Sequence, residues 1–478
     1  MERKMLKLIG VGLGIVIILT AALIVINNQT EEYDVGAKVF VDKEATDILR
    51  LDISNEYGSY SVYYDSDEDG YVFDDIPVNI VDFDGFSELM YHASGYGALR
   101  LVKEHADDLE AYGLDAPAAT VSVEFADGSS FSVAIGNEEP LSGNYYGMVL
   151  SDDSEDGNVY IFAAEDVTYF LLKKEKYISY QVTPELAVTS PLSAIRDIAF
   201  SGSALERPIE IKAVTDSDTE TQLAAKSFGP ATHIVQMNGT YELDQTYGIE
   251  ILGSVLGITA LDVVKYNITD EELTELGFDD SYMQVDFSLK NNTDYIADYQ
   301  LKLVPYGEYY MAYMLGSGVV FLIEPPAFVT IDYTKLCMRW FLSPLRTDLE
   351  NVIVEFDGAT YVYESGTDED GNIIASVNGE ALDKELFFSF YRLITSAASD
   401  GLYLEDPTNE YDQVMTITYN YNIEGKSPDV MKLYTGSLRR VNVEINGITE
   451  FDMKSSFVDA VKTACEHTLT GESIEENW

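Results

Sequence analysis

Polar and apolar positions follow two periods through most of this chain. Thr120-Val121-Ser122-Val123-Glu124-Phe125 alternates, breaks at Asp127-Gly128, and resumes as Phe131-Ser132-Val133-Ala134-Ile135. The same spacing returns in Val285, Phe287 and Leu289, a polar turn at Asn291-Asn292, then Leu301 and Leu303. It returns again where Met415, Ile417, Tyr419 and Tyr421 interleave with Thr416, Thr418, Asn420 and Asn422. A period of two predicts antiparallel strands with one wet face. Further strands are expected over 145–150, 159–162, 309–315 and 319–324. Helical spacing follows Asp383, where Leu386, Phe387, Phe390, Tyr391 and Ile394 fall on one face. Asp82, Asp244 and Asp383 are expected N-caps, their carboxylates accepting from the open N–H groups of a first turn. Closing helices are expected over 164–172, 327–342 and 455–469.

A third pattern opens the chain. Leu8 to Ile26 is a run of 19 residues without a charge. At about 1.5 Å per residue it spans roughly 28 Å, close to the hydrocarbon thickness of a bilayer. Arg3, Lys4 and Lys7 precede it and Glu31 and Glu32 follow it, so the basic flank is expected in the cytoplasm. The reading is an uncleaved single-pass anchor with the bulk of the chain extracytoplasmic. The rival is a cleaved signal, whose small-residue site would have to be Thr20-Ala21-Ala22, inside the run. Gly10 and Gly14 form a G-x-x-x-G that would let a second helix approach closely; glycine is also common in membrane helices generally.

The periodic segments repeat on a longer scale. Gly70 and Gly371 stand 301 positions apart, and Asp69/Asp370, Val81/Leu382, Asp82/Asp383 and Phe86/Phe387 share that offset. Between them Asn238-Gly239 and Leu243-Asp244 resemble Asn378-Gly379 and Leu382-Asp383. Asp107 to Leu114 matches Glu271 to Phe278, with Gly113 and Gly277 suited to a left-handed C′ position, and Thr269 with Glu272 forms a capping box. The expected organisation is a basic flank (1–7), a transmembrane anchor (8–26), a linker (27–38), repeat units at 39–190 and 191–346, and a divergent third at 347–478. The expected fold class is α+β: an N-terminal transmembrane helix followed by three repeated antiparallel-sheet-plus-helix units.

Composition narrows the partners. The 83 acidic and 29 basic residues leave a net charge of −54. That excludes nucleic acid, whose phosphates need Lys and Arg. Hydrophobic residues at 46%, with 34 Tyr and 21 Phe, are enough for packed cores. Cys337 and Cys465 exclude a disulfide-built scaffold and leave one long-range bridge or two buried thiols. His92, His105, His233 and His467 have no ligand spacing.

With these segments in view, a resemblance emerges. Tyr112-Gly113-Leu114-Asp115-Ala116-Pro117, a strand, Asp127-Gly128, a strand ending Ile135-Gly136, then Tyr145-Tyr146 and Val159-Tyr160, resembles the repeat of the domain-of-unknown-function family 4340. It is clearest over 80–180 and weaker over 245–340; the third unit lacks the Tyr-Gly-Leu turn. The resemblance implies a bacterial protein with a membrane helix and repeated units outside. It also implies an accessory role beside ABC-type exporters and their gliding-motility-like subunits. It brings no catalytic residues.

Asp65-Ser66-Asp67-Glu68-Asp69-Gly70 copies the start of a calcium loop, with oxygen ligands Asp65, Asp67 and Asp69 before a bending glycine. Ile76 stands where the bidentate Glu belongs, and the flanks read as strands, so a solvated hairpin tip is the other reading. Asp368-Glu369-Asp370-Gly371 and the acidic stretch 152–157 are similar tips. Gly316-Ser317-Gly318 reads as a turn, and no G-x-S-x-G occurs. Tyr60, Tyr63, Tyr64, Tyr145, Tyr146, Tyr309, Tyr310, Tyr313, Tyr419 and Tyr421 sit on expected strands, as strand propensity or as an exposed aromatic binding face. No catalytic residue and no cofactor other than calcium is expected. The functional expectation is a non-enzymatic, membrane-anchored interaction protein whose partner is a membrane complex such as an ABC-type permease. The alternative is a surface module binding glycan or peptide, with calcium as support.

Overall fold

The structure is a computed structural model that describes residues 37–66, 70–150, 157–185, 190–291, 294–400 and 411–478. The chain divides into two compact units, Met1–Ser179 and Tyr180–Trp478. The first unit carries one sheet. Its strands are β1 Lys38–Asp42, β2 Ile48–Asn55, β3 Gly58–Asp65, β4 Gly70–Phe73, β5 Gly95–Lys103, β6 Ala119–Phe125, β7 Ser130–Glu138, β8 Tyr145–Val149 and β9 Val159–Phe162, in the order β1-β5-β9-β8-β7-β6-β2-β3-β4.

The second unit carries two sheets. In one, β10 Ile195–Ser201, β11 Ile209–Ala213, β12 His233–Gln236, β13 Thr240–Glu242, β14 Asp262–Tyr266, β15 Met283–Asn291, β16 Asp294–Tyr306, β17 Tyr309–Met314 and β18 Val319–Ile323 are ordered β13-β12-β11-β10-β15-β16-β17-β18-β14. In the other, β19 Leu349–Phe356, β20 Ala359–Thr367, β21 Ile373–Val377, β22 Glu380–Leu382, β23 Gln413–Tyr421, β24 Asp429–Thr435, β25 Arg440–Ile445 and β26 Ile448–Lys454 are ordered β22-β21-β20-β19-β23-β24-β25-β26. One run recurs in all three sheets: β4-β3-β2-β6-β7-β8-β9, β12-β11-β10-β15-β16-β17-β18 and β21-β20-β19-β23-β24-β25-β26. The first two sheets extend it past β9 and β18 with β5 and β14; the third ends at β26.

Alternation explains the faces. Phe200 lies between Ile209 and Val285, and Val285 opposite Leu301, all inward. One residue along, Ala199 lies between Glu210 and Asp286, and Asp286 opposite Gln300, all on the other face. Of the strand tyrosines, Tyr60, Tyr313, Tyr419 and Tyr421 are buried and Tyr64 is exposed.

The expected α+β class is corrected: among the described residues the architecture is mostly antiparallel β, three large sheets with few helices. The helices after Asp82, Asp244 and Asp383 form as Phe83–Ser94, Gln245–Gly253 and Lys384–Thr395, and the last closing helix as Ser456–Thr470. The other two closing helices do not form. One is a single turn, Ala164–Val167, running into the 3-10 segment Thr168–Leu171. The other breaks into Ala327–Thr330 and Tyr333–Leu336, then runs extended so that Cys337 pairs with Leu243 and Trp340 with Ala398. The β-branched run Val329-Thr330-Ile331 and the fresh N-cap at Asp332 interrupt the helix, and the open edge of β13 supplies ladder partners instead.

The membrane reading is also corrected: among the described residues no helix is long and apolar enough to cross a membrane. The expected span at 8–26, with Gly10 and Gly14, lies outside the described residues.

The Tyr-Gly-Leu turn has a packing reason. Gly113 closes the 3-10 turn Glu110–Tyr112 at φ 68°. The turn lies on Gly136 of β7, where a Cβ would sit 2.2 Å from the Tyr112 carbonyl oxygen. In the second unit Thr269 and Glu272 form the capping box, and Gly277 follows at φ 88°.

Candidate functional site

The acidic hairpin tips come first. Asp65 ends β3 opposite Gly70, and Asp67 and Asp69 lie outside the described residues. The tip at Asp368 is built as a turn. Its carboxylate accepts from the backbone N–H of Asp370 at 3.0 Å and of Asn372 at 2.7 Å, and from the Asn372 amide at 3.1 Å. Those bonds hold its pKa below the usual carboxylate range. The stretch 151–156 lies outside the described residues. Among the described residues no group of three or more His, Cys, Asp or Glu is placed to hold a metal ion.

Other chemistry-bearing groups are committed to packing. Cys337 and Cys465 are both buried and unbridged, and burial pushes the Cys465 thiol up to about 12. His233 is buried between Thr232 Oγ1 at 3.0 Å and the Leu192 carbonyl at 3.3 Å, and burial lowers its pKa. Gly316 and Gly318 have φ of 80° and 72° around Ser317, a turn between β17 and β18.

A dense polar cluster lies where the two sheets of the second unit meet. Glu450 on β26 is 1% exposed. It is the extra residue of a β-bulge, since Val443 pairs with Phe451 and Glu444 with Thr449. A bulge re-aims a side chain out of the pleat. Here it sends the carboxylate to the β12–β13 turn and to Arg207. Glu450 accepts from Arg207 Nη1 at 2.9 Å, the Gly239 N–H at 2.9 Å, the Asn238 N–H at 3.3 Å and the Tyr241 hydroxyl at 2.6 Å.

Beside it is a cavity of about 300 Å³ bounded by Ser227, Phe228, Tyr241, Lys426, Asp429 and Asn446. Asp429, 2% exposed, accepts from the Tyr421 hydroxyl at 2.5 Å, Asn446 Nδ2 at 2.9 Å and Lys426 Nζ at 3.2 Å. Lys426 also donates to Ser227 Oγ at 2.8 Å. A lysine beside a serine invites a nucleophilic reading. The geometry opposes it: an ammonium donating to Ser227 and to both Asp429 oxygens has no lone pair with which to take a proton.

A wider concavity of about 610 Å³ lies on the outer face of the first of these two sheets, with Glu210, Lys212, Asp286, Ser288, Asp298 and Gln300 on it. Its side chains hold each other across the strands. Gln300 Nε2 donates to Asp286 at 2.6 Å, and Ser288 Oγ to Asp298 at 2.6 Å.

Of the expected site residues, the structure places only Asp65; the cluster around Glu450 and Asp429 was not foreseen. Ile448-Thr449-Glu450-Phe451-Asp452-Met453 reads as an ordinary half-wet strand. Its second face is covered by residues more than 200 positions away, such as Arg207 and Tyr241. The only local signal is the like charge of Glu444, Glu450 and Asp452 near one hairpin. No protein-family model matches the chain, and no curated protein matches it in sequence.

Proposed function

We propose that the protein is a non-enzymatic interaction protein that offers polar sheet faces to a protein partner, and that the partner is an ABC-type export complex, as the resemblance implies. One observation carries the non-enzymatic part. In the enclosed cluster at the sheet junction, Glu450, Asp429 and Lys426 are each tied to partners within the chain. Such a cluster sets the geometry of two sheets and leaves no poised acid, base or nucleophile.

The concave face of the sheet β10–β18 is the proposed contact surface. Arg196 pairs with Asp197 and Lys212 with Glu210 there, which leaves Asp286 and Asp298 as the excess charge, so the face favours a partner with basic or amide groups. The test is co-purification of the tagged full chain with the permease and ATPase of an ABC-type exporter from the source cells, in parallel with Asp286→Lys/Asp298→Lys. The expected result is recovery of both subunits with the unaltered chain and their loss with the charge-reversed one. Recovery of neither subunit with the unaltered chain contradicts the partner. Equal recovery with both chains contradicts the face.

A further inference from the structure

A second concavity in the Tyr180–Trp478 unit is built differently from the polar cluster. It is a groove of about 540 Å³ between the start of the helix Gln245–Gly253 and the extended segment 334–340. Its apolar surface is Tyr247, Met338 and Trp340. Trp340 is 47% exposed, and its indole N–H has no acceptor among the described residues. The chain's other tryptophan is secured: Trp478 Nε1 donates to Ser396 Oγ at 2.8 Å and its ring meets Phe457 edge-on at 5.3 Å.

The groove's rim carries Asp244, Glu250, Lys335 and Arg339, two acids and two bases. In a chain of net charge −54 that balance is unusual. Several rim groups are uncommitted among the described residues. Glu250 and Arg339 have no side-chain partner. Asp244 uses one carboxylate oxygen to cap the helix, accepting from Thr246 at 3.0 Å and Tyr247 at 2.9 Å, and leaves the other open.

The floor decides what can lie there. An extended peptide would need a free strand edge. The backbone of 336–341 offers no continuous edge, since each side is engaged along part of its length. On one side Met338 N–H donates to the Glu242 carbonyl at 2.8 Å, and the Leu336 carbonyl accepts from Asp244 N–H at 2.9 Å. On the other, Phe341 N–H donates to the Ala397 carbonyl at 3.0 Å, and the Arg339 carbonyl accepts from Ser399 N–H at 2.7 Å. What remains is a half-exposed indole, a phenol ring and a rim holding both donors and acceptors. That combination matches a ligand with a flat apolar C–H face edged by hydroxyls. The chain's field repels an anion, and at the rim Lys335 and Arg339 offset Asp244 and Glu250, so the groove itself carries no net charge to draw an ion.

We infer that the Trp340 groove is a binding site for a neutral oligosaccharide, which stacks on Trp340 and Tyr247 and hydrogen-bonds through its hydroxyls to Glu250, Arg339 and the open oxygen of Asp244. The inference stands apart from the exporter contact, which uses another face.

The test is a fluorescence titration of the full chain with cellotetraose and with chitotetraose, and with tetragalacturonate as the anionic comparison. The expected result is saturable quenching by at least one neutral tetramer, with a dissociation constant below about 1 mM. It persists in Trp478→Phe. Calorimetric titration of Trp340→Ala, matched to the unaltered chain by circular dichroism, should show affinity reduced more than about tenfold. Glu250→Gln should weaken binding several-fold while leaving the emission of the free protein unchanged. No saturation by either neutral tetramer, tighter binding of tetragalacturonate, or undiminished affinity in Trp340→Ala would each overturn the assignment.

Discussion

Two faces built on the same strand plan make different demands on their carboxylates. On the sheet β10–β18, Asp286 and Asp298 stay on the solvent face and accept from Gln300 and Ser288, while Asp197 and Glu210 beside them pair with Arg196 and Lys212. At β25 and β26 of the next sheet, Glu444, Glu450 and Asp452 are buried on the face that alternation assigns to water. Each has a cation: Lys432 at 2.8 Å from Glu444, Arg207 at 2.9 Å from Glu450, and Arg440 at 3.2 Å from Asp452. The contrast teaches what burial demands. A carboxylate in water needs only a turn or an amide. One taken out of water needs an opposite charge and further hydrogen bonds. A chain with 29 basic residues among 83 acids spends several of its scarce cations at this one junction.

The largest effects are expected at the buried end of this contrast. Arg207→Ala leaves Glu450 enclosed without its cation, and should lower the stability of the Tyr180–Trp478 unit by about 3–5 kcal/mol. Its calorimetric transition should fall, while that of Met1–Ser179 should not move. Tyr421→Phe removes a 2.5 Å bond to buried Asp429 and should cost about 1.5–3 kcal/mol in the same scan. Asp286→Ala on the open face should stay within about 1 kcal/mol in urea unfolding. If it matched Arg207→Ala, the contrast would collapse.

The smallest effect is a titration, and its sign differs between the two kinds of site. Partly exposed Glu272, bonded to Lys265 first and then to Thr269, is held down at about 2. Its stabilising contribution is fully present above the ordinary carboxylate value and is lost as pH falls from there through about 2. Asp452 is shifted upward by burial and by Asp400, against the pull of Arg440. Its ionised form therefore opposes folding, and that opposition fades as pH falls through its raised value. Carboxyl-resolved NMR titration should show Glu272 near 2, rising toward the ordinary range in Lys265→Met, with Asp452 above its ordinary value.

Local physics was legible and distant coverage was not. Asp244 and Asp383 start their helices, each accepting two backbone N–H bonds, and Thr269 with Glu272 closes its box. The alternation at 120–125 becomes β6, because period two is a property of neighbouring residues. The helices expected at 164–172 and 327–342 failed for a different reason. Apolar content there suits either a helix or an extended run, and the β13 edge, Leu243 against Cys337, settled the second of them. With those helices gone, the α+β expectation gave way to sheets.

Tyrosine spacing likewise could not tell buried Tyr419 from exposed Tyr64. Glu450 was out of reach for the same reason: its bulge and its partners Arg207, Gly239 and Tyr241 exist only once two sheets meet. Trp340 looked like part of a closing helix, and its half-exposed ring follows from the extended path that replaced it.

The most direct measurement is a double-mutant cycle across the junction: Arg207→Ala, Glu450→Gln, the pair together, and the unaltered chain, each by urea unfolding followed on the Tyr180–Trp478 unit. A buried pair that locks the two sheets predicts a coupling of about 2–3 kcal/mol, with the double variant far less damaged than the two single losses summed. Single losses that add to within about 0.5 kcal/mol would contradict it.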